Sequence, residues 1–200
     1  MDIILASNNK GKIREFKDIL EPFGFNVFSL KDINYNKEII EDGITFKENA
    51  LIKAKTICRE TGKITISDDS GLCVRALNYA PGVYSARFSP THDDDDNNAL
   101  LLEKLKGVSD RYAYYECSII IYYPDDTYLH YQGICEGNIG EELVGNNGFG
   151  YDPLFYPLGF NESFGQISKE IKNEISHRAK ALRMILNDID KIKGEWYFEA

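Results

Sequence analysis

Apolar and polar positions at the start of the chain predict a strand followed by a helix. The run Ile3–Ala6 is apolar and is typical of a short buried strand. The polar residues Ser7, Asn8 and Asn9 follow it and favour a turn and a helix cap. Apolar residues then recur at near-helical spacing, at Ile13, Phe16, Leu20 and Phe23. A strand, a polar cap and a helix form the opening of an α/β fold.

The next part of the chain predicts a long helix and a second buried strand. Thr45 is followed three residues later by a glutamate, which is the spacing of a capping box. The helix that begins there is predicted to end at Gly62. Its buried face would carry Phe46, Ala50, Ala54, Ile57 and Cys58. Ile64–Ser67 is then typical of a strand that ends at the polar segment Asp68–Gly71, and Asn26–Ser29 predicts a short strand earlier in the chain.

The second half of the chain predicts a helix, a long hairpin and a final helix. Asn97–Lys106 has the pattern of the third helix and is followed by a glycine. Tyr112–Tyr123 and Thr127–Ile139 have the composition of strands, and the short turn Pro124–Asp126 joins them into an antiparallel hairpin. A final helix over about Asn173–Ile192 would bury Ile175, Ala179, Leu182, Leu186 and Ile189.

The order of these elements indicates the fold class. Helices and strands are interspersed and a long antiparallel hairpin is included, so the chain is predicted to be α/β, or α+β, with a mixed sheet. The 200 residues contain no internal repeat and no long polar linker. Residues 1–200 are therefore interpreted as one domain, which is long enough to bury a substantial core.

Charge and composition restrict the partners. The formal net charge of −9 repels polyanions, so we expect no nucleic-acid polymer as a partner. A small phosphorylated ligand is still compatible with this charge, because a few cations and a metal ion can reverse the potential locally. The first apolar run is too short for a signal peptide or a membrane span. Four widely spaced cysteines indicate reduced, buried thiols in a cytoplasmic protein.

The first polar cluster lies where the first helix is predicted to begin. It consists of Ser7, Asn8, Asn9, Lys10, Gly11 and Lys12. A helix N-terminus offers free N–H groups and a positive dipole end to phosphate, and Lys12 adds a full charge. The run is not a Walker A loop, which needs a longer glycine-rich segment closed by Lys and Ser or Thr. An ordinary helix cap is the alternative interpretation.

The second polar cluster, Asp68–Gly71, follows a predicted strand. Adjacent carboxylates on an extended chain point to opposite sides, so one of Asp68 and Asp69 is predicted to face a ligand and the other to be held by a cation. Oxygen ligands at a strand end, with Gly71 permitting a turn, suit Mg²⁺ that is bound by carboxylates and substrate phosphate. The alternative is a plain turn made of Asp, Ser and Gly.

Two further clusters offer side chains for a planar ligand. Phe149 and Tyr151 are separated by Gly150 in a segment that cannot form a regular helix, and this arrangement suits a clamp for a planar ring. A loop that faces the core is the alternative. His177 and Arg178 lie off the apolar stripe of the last predicted helix, where they are available for a ligand or belong to a solvated helix face.

Other features of the sequence are interpreted without a functional role. The four acids Asp93–Asp96 lack the glycine and closing glutamate of an EF-hand loop, and a solvated loop before the third helix is predicted there. His92 and His130 have no partners at zinc-site spacing. The tyrosines of the segment 112–123 are explained by strand propensity.

Together the clusters resemble the inosine triphosphate pyrophosphatase family, whose members hydrolyse deaminated purine nucleotides. The resemblance extends from about Ile3 to Leu186, which is nearly the whole chain. Each of its six motifs is weak alone, and their occurrence in this order is specific. The motifs are Ser7–Lys12, Glu41–Ala50, Ser67–Leu72, Pro81–Arg87, Gly148–Pro153 and Ile175–Arg178. One position differs, because the family usually has Thr where this chain has Ser7, although a hydroxyl remains.

The resemblance implies a two-lobed α/β fold with a central mixed sheet, flanking helices and an active-site cleft between the lobes. It also implies a homodimer. By position, Ser7–Lys12 would bind phosphate, Glu41 and Asp69 would bind Mg²⁺, and Asp69 would also act as the general base. The further substrate-binding residues that it implies are Ser70 and Lys172, with Phe149, Gly150, Tyr151, Asp152, His177 and Arg178 around the base.

The implied reaction is hydrolysis of ITP, XTP or their deoxy forms to the monophosphate and pyrophosphate. It requires neutralised phosphates, an oriented water and a base, for which Lys12, Mg²⁺ and Asp69 are the candidates. Two alternatives are a pyrophosphatase for a different nucleotide and a nucleotide-binding regulator without turnover. The regulator is disfavoured because the chain retains all of Asp68, Asp69, Glu41 and Lys12.

Overall fold

The structure is a computed structural model, and it describes residues 1–194. The strands are β1 (Asp2–Leu5), β2 (Asn26–Ser29), β3 (Thr65–Val74), β4 (Tyr112–Tyr122), β5 (Tyr128–Ile139) and β6 (Phe155–Pro157). The helices are α1 (Lys10–Leu20), α2 (Phe46–Thr61), α3 (Asp94–Lys104), α4 (Lys169–Ile175), α5 (His177–Asn187) and α6 (Ile189–Lys193). Short 3₁₀ turns, such as Gly82–Arg87, lie in the connections.

All six described strands belong to one mixed sheet. Their order across the sheet is β2, β1, β3, β4, β5, β6. β1 pairs in parallel with both β2 and β3, whereas β5 and β6 pair antiparallel. β4 and β5 are neighbours that only residues 123–127 connect, and a connection this short joins antiparallel strands. The predicted fold class, a mixed sheet with flanking helices, is confirmed.

Helix α2 begins and ends as its sequence predicts. The Thr45 hydroxyl accepts a hydrogen bond from the N–H of Glu48 at 3.1 Å, and the Glu48 carboxylate accepts from the N–H of Thr45 at 3.3 Å. Gly62 ends the helix with a φ of 65°, a left-handed conformation that favours glycine. These local contacts fix the register of the helix, and therefore which of its side chains face β3.

Strand β3 is longer than predicted. The sequence predicts a turn at Asp68–Gly71, but the strand continues through these residues to Val74. Asp68 and Asp69 are only 1% and 9% exposed. Lys12 pairs with Asp68, and Asn49 donates to Asp69, so contacts with other elements oppose the turn preference of an Asp-Asp-Ser-Gly sequence.

Two helix boundaries also differ from the prediction. Helix α3 begins at Asp94, so the acids of 94–96 form its first turn and are not a solvated loop. Asp93 caps this helix, because its carboxylate accepts from the N–H of Asp95 at 2.9 Å. Negative charge there is favourable, since the N-terminal end of a helix is positive. The predicted last helix is divided into α4, α5 and α6, with an extended residue, Ser176, between the first two.

The chain divides into two compact units. The first comprises Met1–Asp69, Ser118–Gln132 and the chain from Ala179 onward. One core cluster of this unit packs α2 against β4, with Ala50, Ala54 and Cys58 beside Ile120 and Tyr122. Another contains Ile4, Ala6, Leu30 and Ile57.

The second unit comprises Ser70–Cys117 and Gly133–Arg178. Its core is a single cluster rich in aromatic rings, in which Tyr115, Phe155 and Phe164 contact one another. Residues of α3, such as Leu101, and Ile139 of β5 complete this core. Because strands β3, β4 and β5 each contribute residues to both units, the division does not follow the order of elements along the chain.

Two simpler sequence predictions can be compared with the structure. All four cysteines are buried thiols, as predicted. Within residues 1–194, no helix has both the length and the apolar character needed to cross a membrane.

Candidate active site

The first polar cluster forms the N-terminus of α1. The side chain of Asn9 caps the helix by accepting from the N–H of Lys12 at 3.1 Å, and the Ser7 hydroxyl accepts from the N–H of Asn9 at 3.1 Å. Asn8, Asn9 and Lys10 are exposed, so this end of an eleven-residue helix can be reached by a ligand. The geometry fits both a cap and a phosphate site, because a capped N-terminus still presents N–H groups and a positive dipole end.

The side chain of Lys12 leads from this helix end to β3. Its ammonium group lies 3.0 Å from Asp68, whose side chain is only 1% exposed. A buried carboxylate is costly unless a cation pairs with it, and Lys12 is that cation. The structure therefore places one carboxylate of the Asp68–Asp69 pair on a lysine, which is the arrangement that the alternation of the strand predicts.

Asp69 is the second carboxylate of the pair, and it lies in a different environment. The side-chain amide of Asn49, on α2, donates to its carboxylate at 3.1 Å. Burial raises the pKa of Asp69 above its ordinary value of 3.8, while the positive charges of Lys53 and Lys12 partly offset this. Asp69 is thus a fixed carboxylate with reduced solvation and raised basicity, which suits the removal of a proton from water.

Lys53 is a functional candidate that sequence reasoning missed. Its ammonium group lies 3.2 Å from the Glu41 carboxylate. Burial lowers the pKa of Lys53, but the carboxylates of Asp69, Glu41 and Asp68 raise it by more, so the net pKa is above the ordinary value. Lys53 is therefore a buried cation beside three carboxylates. Its position one turn after Asn49 on α2 was the available signal, since residues four apart share a helix face.

The acidic residues of this group fit Mg²⁺ better than a softer metal. Glu41 and Asp69 offer only oxygen ligands, which Mg²⁺ prefers. Within the described chain, no three His, Cys, Asp or Glu side chains converge on one point. The two carboxylates of Glu41 and Asp69 fit the donor set of Mg²⁺, which proteins usually hold with one or two carboxylates while water and substrate phosphate complete the coordination.

A second group of polar residues lies in the unit that contains Ser70. Arg178 is only 2% exposed, and its guanidinium group donates to the Ser70 hydroxyl at 2.8 Å. The same guanidinium carbon lies 5.9 Å from the centre of the Phe149 ring. Arg178 lies in the first turn of α5 and is buried, so the alternative of a solvated helix face is excluded.

Lys172 and Asp152 form a buried ion pair within this group. Their charged atoms are 2.7 Å apart, and the lysine ammonium lies 4.9 Å from the centre of the Phe149 ring. The same Asp152 oxygen accepts from the backbone N–H of Phe149 at 3.0 Å. Asp152 therefore orients both the lysine and the aromatic residue; its predicted contact with a bound base stays a prediction.

His177 lies against a ring that the sequence interpretation assigned only to strand formation. The imidazole of His177 stacks on Tyr115, with ring centres 4.6 Å apart and planes 11° apart. Burial raises the pKa of Tyr115 well above its ordinary value, and the charge of Asp152 adds to this. Tyr115 thus remains a neutral phenol and supports His177. Strand propensity concealed it, because four other tyrosines lie in the same strand and its immediate flank.

Tyr151 contributes to the core, not to an exposed clamp. It is 4% exposed, and its hydroxyl donates to the carbonyl of Ser85 at 2.6 Å. Of the two rings that were predicted to grip a planar ligand, only Phe149 is partly exposed. The predicted clamp of two rings is therefore reduced to the Phe149 ring, and the cations of Lys172 and Arg178 lie near it.

Two glycines give this loop its shape. Gly148 and Gly150 have φ angles of 72° and 60°, a region that strongly favours glycine. At Gly148 an added Cβ would lie 1.9 Å from the Asp152 carboxylate, whereas no atom lies within 4 Å of one at Gly150. Gly148 therefore permits the close approach that brings Asp152 to Phe149, and Gly150 supplies only a backbone conformation.

The protein has a mixed α/β fold. One group of residues combines carboxylates with lysines, and another places buried cations beside an aromatic ring. Comparison with known families identifies it further. The model of the Ham1 family matches residues 3–188. The chain therefore belongs to the Ham1 family.

Curated relatives match over almost their whole length. The dITP/XTP pyrophosphatase of Bacillus licheniformis is 48% identical over 193 residues, which cover 95% of this chain and 98% of the relative. The dITP/XTP pyrophosphatase of Desulforamulus reducens is 45% identical over 195 residues, which cover 96% of this chain and 97% of the relative. The resemblance drawn from the six sequence motifs is confirmed.

Solved structures agree with the sequence matches. The Ham1 protein of Staphylococcus aureus has a TM-score of 0.85 and 38% identity, with 98% of this chain and 100% of that chain covered. A HAM1 protein from Coxiella burnetii has a TM-score of 0.87 and 36% identity, with 96% of this chain and 99% of that chain covered. At this identity, the likeness supports a common fold for the full described chain.

Proposed function

We propose that this protein hydrolyses non-standard purine nucleoside triphosphates, namely ITP, dITP, XTP and dXTP, to the monophosphate and pyrophosphate. Its curated relatives are named dITP/XTP pyrophosphatases, and eight of them are 43–48% identical to it over nearly their full length. The observation that carries the chemical assignment is the buried group in which Asp68 and Asp69 lie beside Lys12 and Lys53. Removal of these nucleotides from the cytoplasmic pool is the role we infer.

The triphosphate is assigned to the N-terminus of α1 and to the two lysines. A nucleoside triphosphate carries several negative charges, and the global charge of the protein is −9. Local cations must therefore outweigh the global field where the phosphates bind. Lys12 and Lys53 supply two full charges, and the helix end adds N–H groups that donate to phosphate oxygens. Because Asp68, Asp69 and Glu41 lie beside these lysines, a bound Mg²⁺ would supply the remaining positive charge.

Asp69 is proposed as the general base. It accepts a hydrogen bond from Asn49, its pKa is raised by burial, and the nearby charges of Lys53 and Lys12 favour its ionised form. It would accept the proton of the attacking water as the phosphoanhydride opens and pyrophosphate leaves. Glu41 and Asp69 would hold Mg²⁺, which when bound supplies charge neutralisation at the phosphates.

The base is assigned to Phe149, Lys172, His177 and Arg178. Hypoxanthine and xanthine carry a carbonyl at position 6, where adenine carries an amino group. Cationic side chains donate hydrogen bonds and do not accept them, so they favour a 6-oxo group and leave an amino group without an acceptor. A single mismatch of this kind costs about 1–3 kcal/mol, which corresponds to a roughly ten- to hundred-fold preference.

The test is a pyrophosphate-release assay with ITP, XTP, dITP, ATP and GTP, with Mg²⁺ and then with a chelator. We expect pyrophosphate as the primary product, metal-dependent turnover, and a kcat/KM for ITP and XTP well above that for ATP. Orthophosphate as the first product would contradict the pyrophosphatase assignment. Equal values for ITP and ATP would favour a pyrophosphatase for another nucleotide, and binding without turnover would favour a regulator.

A further inference from the structure

We propose that Asp94 and Asn98 of α3 are positioning residues that hold Gly150, and through it the Phe149 ring, in the orientation that selects the base. This inference rests on the proposed function for its substrate, although the clamp itself is independent of it. The acids Asp93–Asp96 have no functional role in the sequence interpretation, and no part of the proposed reaction uses them.

Both hydrogen-bonding groups of the Gly150 backbone are held from one helix. The Asp94 carboxylate accepts from the N–H of Gly150 at 2.9 Å. The Asn98 side-chain amide donates to the carbonyl of Gly150 at 3.0 Å. Asp94 and Asn98 are four residues apart on α3, so they lie on the same face of the helix, one turn apart.

Outside its chain neighbours, no residue of the described chain packs against the Cβ side of Gly150. No atom lies within 4 Å of the position that its Cβ would occupy, and its φ of 60° is one of several conformations open to a glycine. Glycine loses more conformational freedom on ordering than any other residue. The two hydrogen bonds from Asp94 and Asn98 therefore fix the backbone conformation of Gly150.

The helix that carries the clamp is itself anchored. Asn97 accepts from the N–H of Ser89 at 2.7 Å and donates to the carbonyl of Ala86 at 3.2 Å. Asn98 is 3% exposed, so its side chain is confined, and its carbonyl oxygen is buried with no hydrogen-bond partner in the described chain.

The consequence for the base follows from chain connectivity. Phe149 directly precedes Gly150, and its ring is the one partly exposed aromatic surface beside Lys172 and Arg178. Rotation of the Gly150 backbone would turn the Phe149 ring away from both cations. The fraction of molecules ready to bind a base would then fall, and the apparent affinity would fall in the same proportion.

The first test measures the clamp without any substrate. Asp94→Ala should raise the amide exchange rate at Gly150 about ten-fold, the equivalent of ~1.4 kcal/mol. Asp95→Ala is the matched control, because it removes another exposed acid from the same first turn of α3 and should leave that rate unchanged. Asp94→Asn keeps an acceptor oxygen and should restore most of the protection. Equal exchange in Asp94→Ala and the control would overturn the proposal.

The second test measures selectivity. We expect Asp94→Ala to raise the KM for ITP about five- to ten-fold and to change kcat less than about two-fold, because the clamp affects the competent fraction and not the phosphates. The ratio of kcat/KM for ITP to that for ATP should fall by a similar factor. Asn98→Leu should do the same without lowering the thermal midpoint. A fall in kcat with unchanged KM, or an unchanged ratio, would overturn the positioning role.

The two proposals can fail separately. If the unmodified protein releases no pyrophosphate from any nucleotide, the proposed function fails, while amide exchange still decides whether the clamp exists. If the unmodified protein prefers ITP and Asp94→Ala keeps that preference despite faster exchange, the function stands and the selection role of the clamp is wrong.

Discussion

At the scale of single residues, the ionised form of Asp69 lowers stability but is the form that the proposed reaction requires. Its carboxylate is 9% exposed and its pKa is raised, mainly by burial. A folded-state pKa above the unfolded value means that ionised Asp69 lowers stability at neutral pH. The charge is therefore retained against a stability cost, as expected of a group whose ionised form is needed for reaction.

This conflict gives a prediction for Asp69→Asn. The amide keeps the shape and can still accept from Asn49, but it can neither take a proton nor offer a charged metal ligand. Turnover should fall by roughly a hundred-fold or more, as for a lost general base. The thermal midpoint, measured in chelator, should not fall. Near-normal turnover in a preparation free of unmodified enzyme would move the base elsewhere, with Asp68 as the first candidate.

A second prediction at this scale separates the two glycines of the loop. Gly150→Ala meets only the cost of a left-handed conformation, about 1–2 kcal/mol. Gly148→Ala meets that cost and also a collision with the Asp152 carboxylate, which is 1.9 Å from the added carbon. Denaturant unfolding should therefore show a larger loss of unfolding free energy for Gly148→Ala. Equal losses would mean that Asp152 moves aside freely, and its pairing with Lys172 would not be rigid.

The sequence indicates several residues of the candidate site, but it does not indicate most of the residues that contact them. Local patterns indicate Lys12, Asp68 and Asp69 as candidates, and alternation along a strand predicts that a cation holds one of the two acids. The pattern does not indicate that this cation is Lys12. Lys53 and Tyr115 were missed because a lysine on a helix and a tyrosine in a strand are ordinary there. Their significance appears only through contacts with residues distant in sequence: Lys53 with the Glu41 and Asp69 carboxylates, and Tyr115 with His177.

At the scale of elements, α2 links a local signal to the site. Its capping box fixes where the helix begins, and therefore the rotation that places Asn49 and Lys53 toward β3. Thr45→Ala removes the hydroxyl that accepts from Glu48, and should lower the unfolding free energy by about 1 kcal/mol. Thr45→Ser is the matched control and should retain most of the stability. Chemical denaturation of the three proteins decides it; equal loss in both variants would show that the methyl group, not the hydroxyl, is important.

Elements were predictable where local signals and tertiary contacts agree. Caps and periodic apolar residues placed α2 and β2 at their observed positions. The sequence Asp68–Gly71 favours a turn, but the strand continues through it. Lys12 of α1 pairs with Asp68 there, and Asn49 of α2 donates to Asp69. The break between α4 and α5 at Ser176 was not predictable, because no proline or glycine lies there.

At the scale of the whole molecule, charge is distributed unevenly. The net charge is −9, yet Lys12, Lys53, Lys172 and Arg178 are all substantially buried beside candidate site residues. The net charge predicts that nucleic-acid polymers are not partners, but composition does not indicate where these cations lie in the fold. The fold class, in contrast, followed from the order of elements, and six short motifs in the correct order were enough to indicate the family.

The last prediction concerns association, which the family resemblance implies. The long hairpin of β4 and β5 gives little support for association, because β4 is largely buried within the chain. Three exposed apolar side chains remain near the edge formed by β5 and β6, namely Ile134, Leu158 and Phe160, which are 41%, 55% and 37% exposed. The N–H of Leu158 donates to the carbonyl of Glu136 at 3.0 Å, so Leu158, which directly follows β6, lies beside Glu136 of β5.

We expect these exposed apolar side chains to be covered in a symmetric dimer, since burying apolar surface stabilises association. Light scattering at micromolar concentration should give about twice the chain mass of 22.8 kDa. Leu158→Lys should shift the protein toward the monomer without unfolding it, because the side chain is more than half exposed. Met184→Lys, at a residue 48% exposed on α5, is the matched control and should remain dimeric. A monomeric unmodified protein would refute the dimer, and a dimeric Leu158→Lys variant would place the interface on another surface.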